Sequence, residues 1–162
     1  MSGQEPPHIR LVERIPLKIS PLDPETQPST CRSSPWIRAL IEDGKAPRED
    51  RKFSGKWLLF VLRETVDRVW EEIDSKTAEG RLGCQSKVST VRRDPAQVIY
   101  DEGKHVICVF TYDCRDPEDV RRVRERLREL GFREKIAYKT NAATRAGLYG
   151  DPSDLRVHLL YE

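Results

Sequence analysis

Basic residues are concentrated in two stretches of this 162-residue chain. Segment 81–93 has four bases and no acid, and segment 133–149 has four bases against the single acid Glu134. The net charge is only +2, which argues against a protein that coats nucleic acid generally. Clustered ammonium and guanidinium groups favour a phosphate-bearing ligand. The candidate cations are Arg81, Lys87, Lys135 and Lys139. A solvated sheet face carrying ordinary lysines is the alternative.

A second candidate feature lies in segment 138–150, where hydroxyl, amide and cationic donors fall within one turn. Thr140 or Asn141 can cap a short helix-like turn that also contains Thr144 and Arg145. Exposed N–H groups at the start of such a turn, beside cationic side chains, would form an anion pocket. The alternative is a capped turn whose hydroxyl and amide groups satisfy only backbone groups.

Catalysis and metal binding have little support in the sequence. No phosphate-binding loop, dinucleotide fingerprint, zinc-protease or nucleophile-elbow motif occurs. The four cysteines form no C-x-x-C pair and the three histidines are scattered, so we predict no metal and no cofactor. Lys139 and His105 are the candidates for proton transfer, although an isolated histidine is more often structural.

The alternation of apolar residues predicts an α+β fold with one mainly antiparallel sheet and helices on one face. Five strands are predicted, at 56–62, 83–91 (less buried), 105–112, 136–140 and 156–161. On a strand, Lys135 and Lys139 would point to the same face. Two long helices are predicted at 65–78 and 117–130, and a short one at 36–41. Thr65 is placed to cap the first long helix. Asp116 is placed to cap the second, with Asp119 closing a capping box.

The N-terminal part of the chain differs in composition from the rest. Seven of the eleven prolines lie in residues 1–35, which predicts a mostly disordered tail before a single domain at 36–162. This tail is a candidate site for a protein partner. No run approaches the roughly 20 apolar residues that a membrane span needs, and no signal peptide begins the chain. We therefore expect no membrane partner and a cytoplasmic location, with the nucleus as the alternative.

Four segments together resemble the basophilic leukaemia expressed protein family. They are G-K-W-L-L-F-V at 55–61, G-R-L-G-C-Q-S-K-V at 80–88, H-V-I-C-V-F-T-Y-D at 105–113 and Y-K-T-N-A-A-T-R-A-G-L-Y-G at 138–150. The resemblance runs from Trp36 to Tyr161. It implies a fold similar to that of the mRNA cap-binding initiation factor 4E, a curved antiparallel sheet with helices on its convex side.

Three functional hypotheses follow. The leading one is a binding domain that holds a phosphorylated nucleotide, RNA end or phosphopeptide on a basic concave sheet face. The second is an enzyme similar to phosphothreonine lyases, in which Lys139 or Lys87, His105 and Arg145 would supply base, acid and phosphate clamp. The third is a protein-interaction domain without a small ligand.

Overall fold

The computed structural model describes residues 23–42, 53–94, 103–145 and 160–161. The described elements, in chain order, are a 3-10 helix Pro24–Thr26, β1 Trp36–Leu40, β2 Gly55–Leu62, α1 Arg63–Ala78, β3 Gln85–Ser89, β4 Lys104–Thr111, α2 Pro117–Glu129, β5 Ala137–Thr140, α3 Asn141–Arg145 and β6 Leu160–Tyr161. No helix in these ranges has both the length and the apolar character that crossing a membrane requires.

The six strands form one antiparallel sheet in the order β1-β3-β4-β2-β5-β6. The predicted α+β class and antiparallel sheet are therefore confirmed. The two long helices, α1 and α2, pack on the same face of the sheet, where one apolar cluster joins them to the strands. The opposite face has a smaller apolar cluster of its own around Phe110.

The core between the sheet and the helices is built from the predicted helix stripes. Val66, Val69, Trp70 and Ile73 of α1 are buried against alternating residues of the central strands. Burying each of these side chains contributes about 1.5–3 kcal/mol. Trp57 of β2 is fully buried in this core and donates its indole N–H to the Val120 carbonyl at 3.1 Å. Strand β2 is thereby fixed with its odd-numbered side chains toward the helices.

Segment 36–40 is a strand, so the predicted short helix at 36–41 is wrong. β1 pairs with β3 from Trp36↔Ser89 to Leu40↔Gln85. Local residues such as Ala39 and Leu40 favour a helix, but pairing with a neighbouring strand satisfies the backbone and buries Ala39. β3 is also more buried than predicted, because β1 and β4 flank it on both sides.

Residues 23–35, which the composition assigns to the tail, pack against the domain. The backbone N–H of Ser29 donates to the Asp67 carboxylate on α1 at 2.9 Å, and Cys31 is buried. Val91 N–H donates to the Pro28 carbonyl at 3.2 Å. These contacts explain why a proline-rich composition did not prevent order here. The rest of the predicted tail, residues 1–22, lies outside the described residues, as do 43–52 and 95–102.

Two predicted caps differ in the structure. α1 begins at Arg63, so Thr65 lies within the helix. The N-cap residue is Leu62, which makes no side-chain capping hydrogen bond. α2 begins after Asp116 as predicted, and the Asp116 carboxylate accepts from Glu118 N–H at 3.0 Å. Asp119 closes no capping box, because its carboxylate accepts from the backbone N–H groups of Tyr112 and Asp113. It therefore anchors the end of β4 to α2.

Candidate functional site

Strand register brings three lysines onto the sheet face opposite α1 and α2. Lys56 of β2 is paired directly with Lys139 of β5 on one side and with Phe110 of β4 on the other. Lys87 of β3 is paired with Cys108 of β4. Because side chains alternate across a strand, these residues share one face. We call this surface the lysine face and define it by Lys56, Lys87 and Lys139.

The charge of the lysine face has one sign. Its described strand positions include two more cations, Arg38 opposite Lys87 and Lys104 at the start of β4. None of the strand positions that the structure describes on this face is an acid. Like charges placed directly opposite each other on neighbouring strands destabilise a sheet. This arrangement therefore costs folding free energy.

Aromatic rings lie between the ammonium groups. The Lys87 ammonium lies 3.9 Å from the centroid of the Trp36 ring and 5.9 Å from that of Phe110. The Lys56 ammonium lies 5.5 Å from the same Phe110 centroid. A cation over a ring face gains about 0.5–1 kcal/mol at exposed sites and more when desolvated. The rings thus hold both ammonium groups near one point, and neither forms an ion pair with a carboxylate of the described residues. Asp94, whose carboxylate accepts from the Trp36 indole N–H at 3.4 Å, acts to raise the pKa of Lys87.

Burial changes the protonation chemistry of the lysines. Lys56 is only 7% exposed and Lys139 only 5% exposed. Desolvation lowers the pKa of Lys56, of Lys87 and of Lys139 from the ordinary lysine value. For Lys87 and Lys139 the positive charge of Lys56 lowers the pKa further. Deprotonation of any one of them is easier than for an ordinary surface lysine.

Cys108 lies at the centre of this cationic cluster. Burial raises the pKa of its thiol, while the surrounding Lys56, Lys87, Lys139 and Arg38 act in the opposite direction. The thiol is almost fully buried and packs with Phe110. Cys108 is therefore a small apolar residue in the floor of the lysine face.

The sequence model of one protein family matches residues 20–147, which is 128 of the 162 residues. This is the family of the basophilic leukemia-expressed protein Bles03. The chain belongs to the Bles03 family. The match begins before β1, which agrees with the packing of residues 23–35 on the domain. The resemblance predicted from the sequence segments is confirmed.

Among the predicted site residues whose side chains the structure describes, Lys87 and Lys139 lie on the lysine face of this Bles03 family member. Lys135 is exposed and precedes β5, which begins at Ala137, so strand pairing does not place it on the lysine face. Arg81 lies in the connection after α1 and pairs with Glu79 at 3.3 Å. Its segment is held from the helix side, where Arg126 of α2 donates to the Leu82 carbonyl at 3.0 Å. Arg81 is therefore not part of the site.

The hydroxyl groups of the turn after β5 are engaged by backbone groups. The Thr140 hydroxyl accepts from Ala143 N–H at 3.0 Å, and the Thr144 hydroxyl donates to the Thr140 carbonyl at 3.2 Å. Asn141 N–H donates to the Ser54 carbonyl at 2.9 Å. These contacts favour the alternative in which the turn is capped structurally. The backbone of Arg145 ends α3, and its side chain lies outside the described part of the structure.

His105 lies on the other face of the sheet. It is fully buried, its Nδ1 is 2.6 Å from the Ser89 carbonyl, and its Nε2 accepts from Arg63 at 3.3 Å. Burial lowers the pKa of this imidazole. The position of His105 on β4 differs by an odd number of residues from that of Cys108, so it cannot meet Lys139 or Lys87. His105 therefore does not converge with Lys87 or Lys139 as the enzyme hypothesis requires.

Two residues of the lysine face escaped the sequence prediction. Lys56 begins a run of seven residues whose other six are apolar, so the strand seemed buried on both faces. Phe110 was not among the predicted site residues, and it packs on the face opposite the helices. The sequence did contain one clue to Lys56. Side chains alternate along a strand, so a Trp57 that points into the core places Lys56 on the opposite face. The partner of Lys56 across the sheet could not be identified from local sequence.

The remaining candidates give no site. Trp57 and Trp70 are buried on the helix side, and Trp36 lies on the lysine face with Lys87 against its ring. Within the described ranges, no group of three or more histidine, cysteine, aspartate or glutamate residues is arranged to hold a metal ion.

Proposed function

We propose that this Bles03 family member binds a phosphate-bearing ligand on its lysine face. The observation that supports the proposal is the direct pairing of Lys56 with Lys139, with Lys87 held near them by Phe110 and no acid among the described strand residues of that face. A doubly charged phosphate placed between the three ammonium groups would remove their mutual repulsion and make charge-assisted hydrogen bonds to them.

The ligand class is a nucleotide, an RNA end or a phosphopeptide. The basic face supports the phosphate part of each, and the half-buried Trp36 offers apolar surface beside it. The similarity to the initiation factor 4E fold that the family resemblance implies stays a prediction. A base sandwiched between two tryptophans is not supported, since Trp36 is the single tryptophan on this face in the described residues.

A thermal-shift screen tests the proposal. The purified protein is titrated with mononucleotides, cap analogues, short RNAs and phosphopeptides, because a ligand of the native state raises the melting temperature by mass action. The increase should disappear in Lys87→Ala/Lys139→Ala. It should persist in Arg81→Ala/Arg121→Ala, which loses the same charge at exposed positions outside the lysine face.

An absence of any hit, or equal hits in both double variants, would contradict the proposal. The first result would leave the protein-interaction domain as the better hypothesis. The enzyme hypothesis with His105 as the acid loses its geometric support, because His105 faces the helices.

A further inference from the structure

Lys56 has the surroundings that turn a lysine into a nucleophile. It lies on the central strand β2, with Lys139 directly opposite on β5 and Phe110 directly opposite on β4. An amine reacts with a carbonyl group only when neutral, and enzymes obtain neutral lysines by desolvation or by placing another cation beside them. Both conditions are met here, since Lys56 is 7% exposed and its cross-strand neighbour is a lysine.

The titratable groups around Lys56 are cationic side chains and the Cys108 thiol, and the thiol acts to raise the pKa of Lys56. Lys139 lies on β5, Cys108 on β4, Lys87 on β3 and Arg38 on β1. Cys108 keeps its proton because burial raises the pKa of its thiol. No described carboxylate stabilises the ammonium form of Lys56 by an ion pair. The desolvation that lowers the pKa of Lys56 outweighs the opposing effect of Cys108.

We propose that Lys56 forms an imine with a small aldehyde or ketone that carries a phosphate or carboxylate group. This inference rests on the proposed function, because Lys87 and Arg38 would hold the anionic group while Lys56 reacts. Lys139 is a positioning residue in this account, since its charge favours the neutral form of Lys56 without bonding to the carbonyl carbon.

The step balances without a further reagent. The lone pair of the Lys56 amine attacks the carbonyl carbon, a C–N bond forms, and the carbonyl oxygen takes a proton to give a carbinolamine. The C–O bond then breaks, and the oxygen leaves as water carrying both hydrogens of the former amine. The products are the imine on Lys56 and one water molecule.

Pyridoxal phosphate is a suitable probe because it carries both an aldehyde and a phosphate. The full chain is incubated with a limiting amount, the imine is reduced with sodium borohydride, and the modified lysines are located by peptide mass spectrometry. We expect Lys56 to be modified several-fold faster than the exposed Lys135 near neutral pH, because desolvation increases the neutral fraction of its amine. Greater exposure alone would favour Lys135.

Two comparisons sharpen the test. Pyridoxal, which lacks the phosphate, should modify Lys56 about tenfold more slowly, and inorganic phosphate should compete with pyridoxal phosphate. Lys56→Arg keeps the charge, so the protein should still bind phosphate but lose the adduct. Should that variant fail to fold, the site map of the unchanged protein still decides the question.

Each outcome bears on a distinct claim. Preferential modification of Lys56 supports the inference. Phosphate binding with modification spread evenly over exposed lysines, or centred on Lys87 or Lys139, would overturn the assignment of Lys56 and leave the proposed function standing. Neither phosphate binding nor preferential modification would overturn both.

Discussion

Lys56 on β2 and Lys139 on β5 are directly opposite each other, and both side chains are buried on the sheet face away from the two long helices. Adjacent buried ammonium groups oppose folding, because each must lose water and each repels the other. The nearby Phe110 ring offsets part of that cost for Lys56. The following predictions depend on this balance and on the contacts that hold the face in place.

Replacing Lys56 with methionine should stabilise the protein. Lys56→Met removes a buried charge, keeps a similar side-chain volume, and replaces the ammonium–ring contact with a sulfur–ring contact of comparable strength. We expect the free energy of unfolding in urea to rise by about 1 kcal/mol near neutral pH. Lys135→Met, at an exposed position, should change it by less than about 0.5 kcal/mol. A loss of stability in Lys56→Met would contradict this prediction, because it would show that other groups of the native state compensate the buried ammonium charge of Lys56.

The lysine face should make stability increase with pH on the alkaline side of neutrality. The pKa of Lys56 is lower in the folded state than its unfolded value of 10.5, so the unfolded chain binds more protons between the two values. Unfolding free energy therefore rises with pH in that window. Above pH 9.0 the buried thiols oppose this trend, because burial raises the pKa of Cys84 from 9.0 to about 12.

Urea melts at several pH values below that point isolate the lysine contribution. The slope of unfolding free energy against pH should be smaller in Lys56→Met than in the unchanged protein. Lys135→Met should keep the slope of the unchanged protein. Identical slopes in all three proteins would contradict the lowered pKa of Lys56.

His105 should make the fold sensitive to mild acid. Burial lowers the pKa of His105 below its unfolded value of 6.5, so the unfolded chain binds a proton that the native state does not. Stability should fall as the pH decreases from 6.5 toward the folded-state pKa. His105→Gln should flatten this acid limb and lower stability by about 2 kcal/mol, since the Ser89 carbonyl and Arg63 lose their partner. An unchanged acid limb in the variant would refute the prediction.

Asp119 should contribute more to stability than the helix cap Asp116. Asp119 is buried, accepts from Tyr112 N–H at 2.7 Å and pairs with Arg122 at 2.6 Å. Asp119→Ala leaves these donors unsatisfied and should cost about 2–3 kcal/mol, whereas Asp116→Ala should cost about 1 kcal/mol. Chemical denaturation of the two variants measures the difference. Equal costs would indicate that Asp119 serves only the helix terminus.

The sequence predicted the elements whose periodicity is strong and local. α2, with Asp116 and Pro117 at its start and Val120, Val123 and Leu127 buried, follows the prediction closely. β1 was missed because five residues after Pro35 carry little local preference, and pairing with β3 decides their conformation. The pairing of β1 with β3 also places its first residue, Trp36, on the lysine face.

The candidate site was predicted in part for a related reason. Lys87 and Lys139 lie in separate basic stretches, and charge alone marked both. Lys56 lies beside Trp57 in an apolar strand, and it belongs to the site because it is paired with Lys139. The two lysines are 83 residues apart in the chain, so local sequence patterns cannot show that they are neighbours. Register between distant strands, which no local pattern encodes, decided the composition of the lysine face.

Calorimetric titration with inorganic pyrophosphate tests the central claim most directly, using the unchanged protein, Lys56→Gln/Lys87→Gln and the charge-matched Arg81→Gln/Arg121→Gln. We expect saturable binding to the unchanged protein and the charge-matched variant, weakened at least about tenfold in the lysine variant by the loss of two charge-assisted contacts. Equal affinity in all three proteins, or no binding to the unchanged protein, would contradict an anion site on the lysine face.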